Sequence, residues 1–227
     1  MIPGVWSLWR FAVTLTLSLC LIATPVFINV VPVSASDTSV SDCTLAIFDG
    51  TVYVIEPGET DWELATDDII LATGAWVHTG TMSSAMLTFF DGSTITLDAN
   101  TSLEVRQLSY DQENSTTIIR LKHWLGRTFS RVVKMFELGS SYEVETPSAV
   151  AVVRGTQFFT EVKQGGATSV HTTEGLVSVI AQEEEVQVGV GHETVVEPDN
   201  APTEPVVAET PPDIGDDTSR NSSKGKS

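Results

Sequence analysis

The sequence predicts an all-β domain, an antiparallel sandwich or barrel-like stack of short strands, with a hydrophobic helix before it and a disordered tail behind it. Three observations predict this. Short runs rich in β-branched and aromatic residues, many of them alternating, fill the chain from Thr44 to Val196. They return roughly every ten residues, and Gly-containing turns separate them.

The elements follow in chain order. Arg10 is the only charge before Asp37, and Phe11 to Val33 is an uncharged run of twenty-three residues. That is long enough to span a bilayer. Val33-Ser34-Ala35 is a small-residue cleavage site of the secretory kind. Residues 1–35 are therefore a cleaved signal peptide or an uncleaved anchor, and both place the rest outside the cytoplasm, in the periplasm or at the cell surface. Residues 36–43 read as a linker and 44–196 as the β-domain. Strand runs include Thr51 to Ile55, Ala85 to Phe90, Thr94 to Leu97, Thr117 to Leu121, Gln157 to Thr160 and Leu176 to Ile180. Asp49-Gly50, Asp91-Gly92, Gly165-Gly166 and Glu174-Gly175 read as hairpin turns, because glycine supplies the positive φ a tight turn needs. From Trp124 to Phe136 the apolar spacing is helical, but Gly126 and Val132-Val133 turn the reading to strand. Ser84-Ala85 before Asp91-Gly92-Ser93 and Ser148-Ala149 before Arg154-Gly155-Thr156 form a loose internal pair. Residues 197–227 hold five of the ten prolines and seven acids, a composition that reads as a disordered tail.

Thirty acidic residues face twelve basic ones, a net charge of −18. A field of that sign repels phosphate backbones and excludes nucleic acid as a partner. With Cys20 in the export segment, Cys43 is left without an intramolecular disulfide partner, so the core must hold the fold. Cys43 is either an inert buried thiol or a link between chains.

The order of motifs resembles the FecR-type domain. The residues that carry this are Gly74-Ala75-Trp76-Val77-His78-Thr79-Gly80, then Ser84 through the Asp91-Gly92-Ser93 turn, Leu97, Leu103-Glu104-Val105, Thr146-Pro147, Val152-Val153-Arg154-Gly155-Thr156-Gln157-Phe158, and the late glycines Gly175 and Gly191. His78 stands where the family often has arginine. The resemblance covers roughly residues 45–197 and implies the domain of a periplasmic sensor. Such sensors span the inner membrane once and relay an outer-membrane receptor's signal to a sigma factor through a cytoplasmic N-terminal domain. Only ten residues precede the apolar run here, so the expectation is an extracytoplasmic module without that relay domain.

No catalytic constellation accompanies the pattern. His78, His123, His171 and His192 are scattered, the cysteines lack metal-ligand spacing, and no nucleophile elbow or phosphate loop occurs. The expectation is a non-enzyme without cofactor or metal. Arg120, Lys122, Arg127, Arg131 and Lys134 gather five of the eleven basic residues that follow the export segment. With Trp124, Phe129 and the Arg154 turn they form the candidate partner-binding set, suited to an acidic protein or envelope polymer. The resulting reading is a non-catalytic module that binds or senses a protein or envelope polymer. Its rivals are a tethered component working with a separate anti-sigma factor or receptor, and a carbohydrate-active enzyme using paired carboxylates.

Overall fold

The structure, a computed structural model, describes residues 38–208. The expected export segment and cleavage site, and the tail from residue 209, lie outside the described residues. Within them the chain forms eighteen strands and no helix. The strands pair into two sheets. The first runs β4 (Glu63–Leu64), β3 (Val52–Ile55), β6 (Trp76–Thr79), β9 (Ser102–Asp111), β10 (Thr116–Arg131), β11 (Ser141–Glu145), β12 (Val150–Val153), β15 (Leu176–Ala181), β16 (Glu184–Gly189). β1 (Thr38–Val40) joins it alongside the far end of β9. The second runs β5 (Ile69–Leu71), β2 (Cys43–Asp49), β7 (Ser84–Phe89), β8 (Thr94–Leu97), β10 again, β13 (Gln157–Val162), β14 (Thr168–Glu174), β17 (His192–Val196), β18 (Val206–Val207).

β10 belongs to both sheets. Its first part pairs with β9 up to Leu125, and from Gly126 it pairs with β13. Linked in this way, the two sheets close on one another as a barrel-like stack. Their inner faces share one apolar core. The alternation is plain in β7, where Ala85, Leu87 and Phe89 are buried and their neighbours are not. Tyr142 of β11 sits at the centre, edge-on to Phe89 at 5.9 Å and to Phe158 at 6.4 Å. Those two rings come from the opposite sheet, and the Tyr142 hydroxyl finds Ser130 Oγ at 3.2 Å. Each fully buried Leu, Ile or Phe here contributes about 1.5–3 kcal/mol by leaving water.

The chain repeatedly crosses between the sheets, and the crossings stack at two edges. At one edge, the turns after β2, β6 and β8 lie against the bend of β10. Gly80 N–H donates to Thr51 O at 2.9 Å, Asn100 N–H to Gly80 O at 3.1 Å and Asp98 N–H to Arg127 O at 3.0 Å. The buried threonines Thr79 and Thr101 complete the stack: Thr101 N–H donates to Thr79 Oγ1 at 2.9 Å, and Arg127 N–H to Thr101 Oγ1 at 3.1 Å. At the other edge, Val132 N–H donates to Thr156 O at 2.8 Å and Gly191 N–H to Thr172 O at 2.8 Å. These bonds replace the ladder where it is interrupted.

Several expectations are corrected. The first sheet is mixed, because β10 and β11 run parallel, whereas the second is antiparallel throughout. Residues 132–140 carry the chain from the end of β10 back to β11, which sets the two strands in one direction. Asp49-Gly50 and Glu174-Gly175 are crossings rather than hairpins, since β2 does not pair with β3 nor β14 with β15. Asp91-Gly92 and Gly165-Gly166 do close hairpins. The internal pair is not one repeated unit, because Asp91-Gly92-Ser93 closes a hairpin and Arg154-Gly155-Thr156 crosses between sheets. The expected linker holds β1 and the first residue of β2. The chain beyond Glu197 also stays with the domain as far as Ala208: Val195 N–H donates to Thr203 Oγ1 at 3.0 Å and β18 pairs with β17. Backbone pairing, which composition does not report, orders that stretch. The strand reading from Trp124 holds through Arg131.

Gly126 makes the bend of β10 possible. Its φ is +93°, and an added Cβ would lie 2.4 Å from Thr101 Oγ1 and 2.6 Å from Thr101 Cα. Gly126→Ala is expected to destabilise by about 2–5 kcal/mol, strain and overlap together. Gly165→Ala, at φ +105° but in open space, is expected to cost only the backbone part, about 1–2 kcal/mol. Urea unfolding of the two variants reads the difference.

Candidate functional site

The predicted cationic set does not form one patch. Arg120, Lys122 and Trp124 alternate onto the outer face of the first sheet. Arg120 Nε lies 2.9 Å from Glu143 Oε2 and its Nη1 lies 3.0 Å from Gln107 Oε1. Lys122 pairs with Glu145 and sits 4.4 Å over the Trp124 ring. Arg127 is at the bend, paired with Asp98. Phe129 does not join Trp124. Alternation puts it on the side of β10 opposite the core-facing Ser130, where it packs on Phe159 at 4.6 Å. Cross-strand neighbours that the sequence does not reveal are acids, so three of the bases are neutralised in place.

Arg131, Lys134 and Arg154 lie elsewhere, and no acid pairs with them among the described residues. Lys134 and Arg154 meet at the second edge, because Gly155 packs on the Lys134 backbone. Arg131 leads into that connection, 6.0 Å from the Phe129 ring. The same connection carries Phe136 and Leu138, exposed at 86% and 89%. Bases beside bare apolar side chains are the composition of a protein contact. The sequence reading passed over Phe136 and Leu138 because nothing in their spacing tells an exposed loop from a core.

The outer face of the first sheet carries a second group. Tyr53, His78 and Ser102 face one another across β3, β6 and β9, with Trp62 folded over them. They line an open hollow of about 450 Å³. Trp62 and His78 have ring centroids 5.8 Å apart, and His78 Nδ1 lies 2.8 Å from Ser102 Oγ. Next along the face, Trp76 and Trp124 stack at 5.6 Å and 15°. Trp124 Nε1 donates to Glu104 Oε2 at 3.3 Å. A one-dimensional pattern does not reveal this group, because its members come from four strands and a loop.

The most reactive side-chain types are set into the scaffold. Cys43 is buried, and that burial, with Asp42 nearby, pushes its thiol up to about 12, which keeps it protonated. His123 is fully buried with Nε2 3.0 Å from Leu125 O, and burial pushes its pKa down to about 4. At His171 burial lowers the pKa while Glu193, its cross-strand neighbour, pulls it back. Among the described residues no three His, Cys, Asp or Glu side chains gather as metal ligands, and no helix is long and apolar enough to cross a membrane.

Asp91-Gly92-Ser93 and Thr146-Pro147 form turns held by their own side chains. Asp91 Oδ1 accepts from Ser93 N–H, and Asp91 Oδ2 accepts from the Ser93 hydroxyl, both at 2.8 Å. Ser93 Oγ then accepts from Val133 N–H at 3.0 Å, which ties the hairpin to the connection after β10. Thr146 caps its own turn through Ala149 N–H at 2.9 Å. Residues 75–178 match the family model described as FecR protein. That segment belongs to the FecR family. No curated protein matches the chain significantly. Among solved structures, similar chains are two crystal structures of "a putative anti-sigma factor from Parabacteroides distasonis ATCC 8503", at 2.50 Å and 1.65 Å resolution. Both have 21% identity and a TM-score of 0.46, and cover 58% of this chain. The chain spans 57% of the length of those solved chains.

Two outcomes follow for the FecR segment. Ser93→Ala leaves the Val133 amide without its acceptor and is expected to cost about 1–3 kcal/mol. Hydrogen exchange should show the loss concentrated at residues 132–140. His123 has a folded pKa below its unfolded one, so its stabilising contribution is present above pH 6.5 and is lost as pH falls toward 4. The loss is about 3 kcal/mol. His123→Leu is expected to flatten that part of the stability profile, read by urea midpoints between pH 7.5 and 4.

Proposed function

We propose that the chain is a non-catalytic, extracytoplasmic FecR-type module that binds or senses a protein or envelope polymer. One observation carries the reading: the Thr-Gly, Asp-Gly-Ser and Thr-Pro residues serve crossings and turns, while an outer sheet face and the edge after β10 present side chains for contact. The histidine and cysteine most altered by their surroundings support a non-catalytic role, since burial keeps His123 uncharged and the Cys43 thiol protonated at neutral pH.

The sign of the charge narrows the partner. On a chain of net charge −18, Arg131, Lys134 and Arg154, which with Lys163 have no acid pair among the described residues, form a cationic group. Next to Phe136 and Leu138 they suit an acidic protein partner. The family favours the tethered reading, in which that partner is a receptor or a separate anti-sigma factor and residues 11–33 hold the module at the membrane. A carbohydrate-active enzyme has no comparable support.

The test is fractionation of expressing cells, with the mature N-terminus sequenced in each fraction, followed by co-purification. The chain is expected in the envelope or outside the cell, together with a protein partner or an envelope polymer. Arg131→Gln, Lys134→Gln and Arg154→Gln combined with Phe136→Ser are expected to reduce recovery of a protein partner about tenfold or more. Recovery of the chain as a cytoplasmic protein with its N-terminus intact removes the extracytoplasmic reading.

A further inference from the structure

We propose that the outer face of the first sheet around Trp62 is a glycan-binding shelf for an uncharged oligosaccharide chain. The proposal deepens the binding reading above, because it assigns a ligand class to a surface separate from the cationic edge.

The first reason is the mismatch between surface and composition. The outer face of a half-buried sheet normally carries small polar and charged groups. Here Tyr53 is 37% exposed, Trp62 46% and Trp124 37%, with Leu64 beside them at 67%. None is needed for the core, which lies on the opposite face of the same strands. Trp62 lies in the connection between β3 and β4, not in the ladder, yet it is laid over the sheet against His78.

The second reason is chemical fit. A pyranose ring presents apolar C–H groups on its faces and hydroxyls at its rim. It is held by an aromatic face with hydrogen-bonding groups at the side. Trp62 and Tyr53 supply aromatic surface, and His78 and Ser102 supply polar atoms in the same hollow. Glu104, through Trp124, and Lys122, through Glu145, continue polar character along the face.

Shape and charge count against two other ligand classes that aromatic rings take. A quaternary ammonium group is held in a closed aromatic box, whereas this hollow is open. Anionic polymers meet Glu56, Glu59, Asp61 and Glu63 on either side of Trp62 along the chain. From β3 to β10 the face crosses three strand spacings, about 14 Å, which accommodates about two or three sugar rings. The ligand that remains is flat, extended and uncharged.

The experiment titrates the full chain, purified from expressing cells, with cellohexaose and hexa-N-acetylchitohexaose, and with alginate as the anionic control. Calorimetry and tryptophan emission are the readouts. Binding of a neutral oligosaccharide is expected, with no response to alginate. Trp62→Ala and Tyr53→Ala, both partly exposed, are expected to weaken it about tenfold or more, while Val190→Ser, at an exposed turn between β16 and β17, leaves it unchanged. Circular dichroism confirms the fold of each variant, and displacement of the chain from isolated envelopes by the free sugar gives an independent reading. The shelf is overturned if neither neutral sugar binds, if binding ignores both substitutions, or if Trp62→Ala abolishes a protein contact that sugars do not displace. Envelope association that survives Trp62→Ala and added sugar also overturns the shelf but leaves the binding-module reading intact. Sugar binding through Trp62 with no envelope association keeps the shelf and removes that reading.

Discussion

A strand that leaves one sheet for another breaks its hydrogen-bond ladder inside a packed protein. The orphaned N–H and C=O groups at each crossing must be satisfied without water. The rest of this fold depends on how that is done. Thr79 and Thr101 each use one hydroxyl as donor and acceptor, so a single side chain settles two backbone groups. Glycine at Gly126 lets the next crossing approach to contact distance. Because each crossing bonds to the next, the sheets grow by stacking corners, and β10 can serve both sheets without interruption.

This accounts for the kind of residue the FecR segment repeats. Thr-Gly, Asp-Gly-Ser, Thr-Pro and Arg-Gly-Thr each sit at a turn or a crossing. They are solutions to crossings and turns. Ser93 shows the economy of the arrangement: one hydroxyl donates within its own turn and accepts from Val133, forty residues away. The outer face of the first sheet is left free of this duty, and the side chains of the proposed shelf lie there. The two surfaces differ in kind. One is a shelf of aromatic rings over a polar sheet, and the other an edge where cations without acid partners stand beside Phe136 and Leu138.

The neutralised bases show how a linear reading of charge fails. Arg120 and Lys122 sit in a basic stretch of sequence, yet register brings Glu143 and Glu145 directly opposite through the parallel pairing of β10 with β11. The effective field on that face is set by cross-strand neighbours more than twenty residues away. Arg131, Lys134 and Arg154 escape because the chain has left the ladder where they lie, or is about to.

The sequence by itself determined the all-β class, most strand positions, the strand nature of the stretch from Trp124 and the FecR resemblance. Each is written in local patterning: alternation, β-branched composition, and glycine or Asp-Gly at turns. Tertiary structure alone decided which turns are hairpins and which are crossings, that β10 and β11 run parallel, and that residues 198–208 return to the sheet. It also decided that Tyr53, Trp62, His78 and Ser102 share a hollow. The physical reason is common to all of these. A strand's two faces are set by its own period of two, but its neighbours are chosen by pairing between distant segments. Contacts of that range leave no periodicity in the chain that makes them.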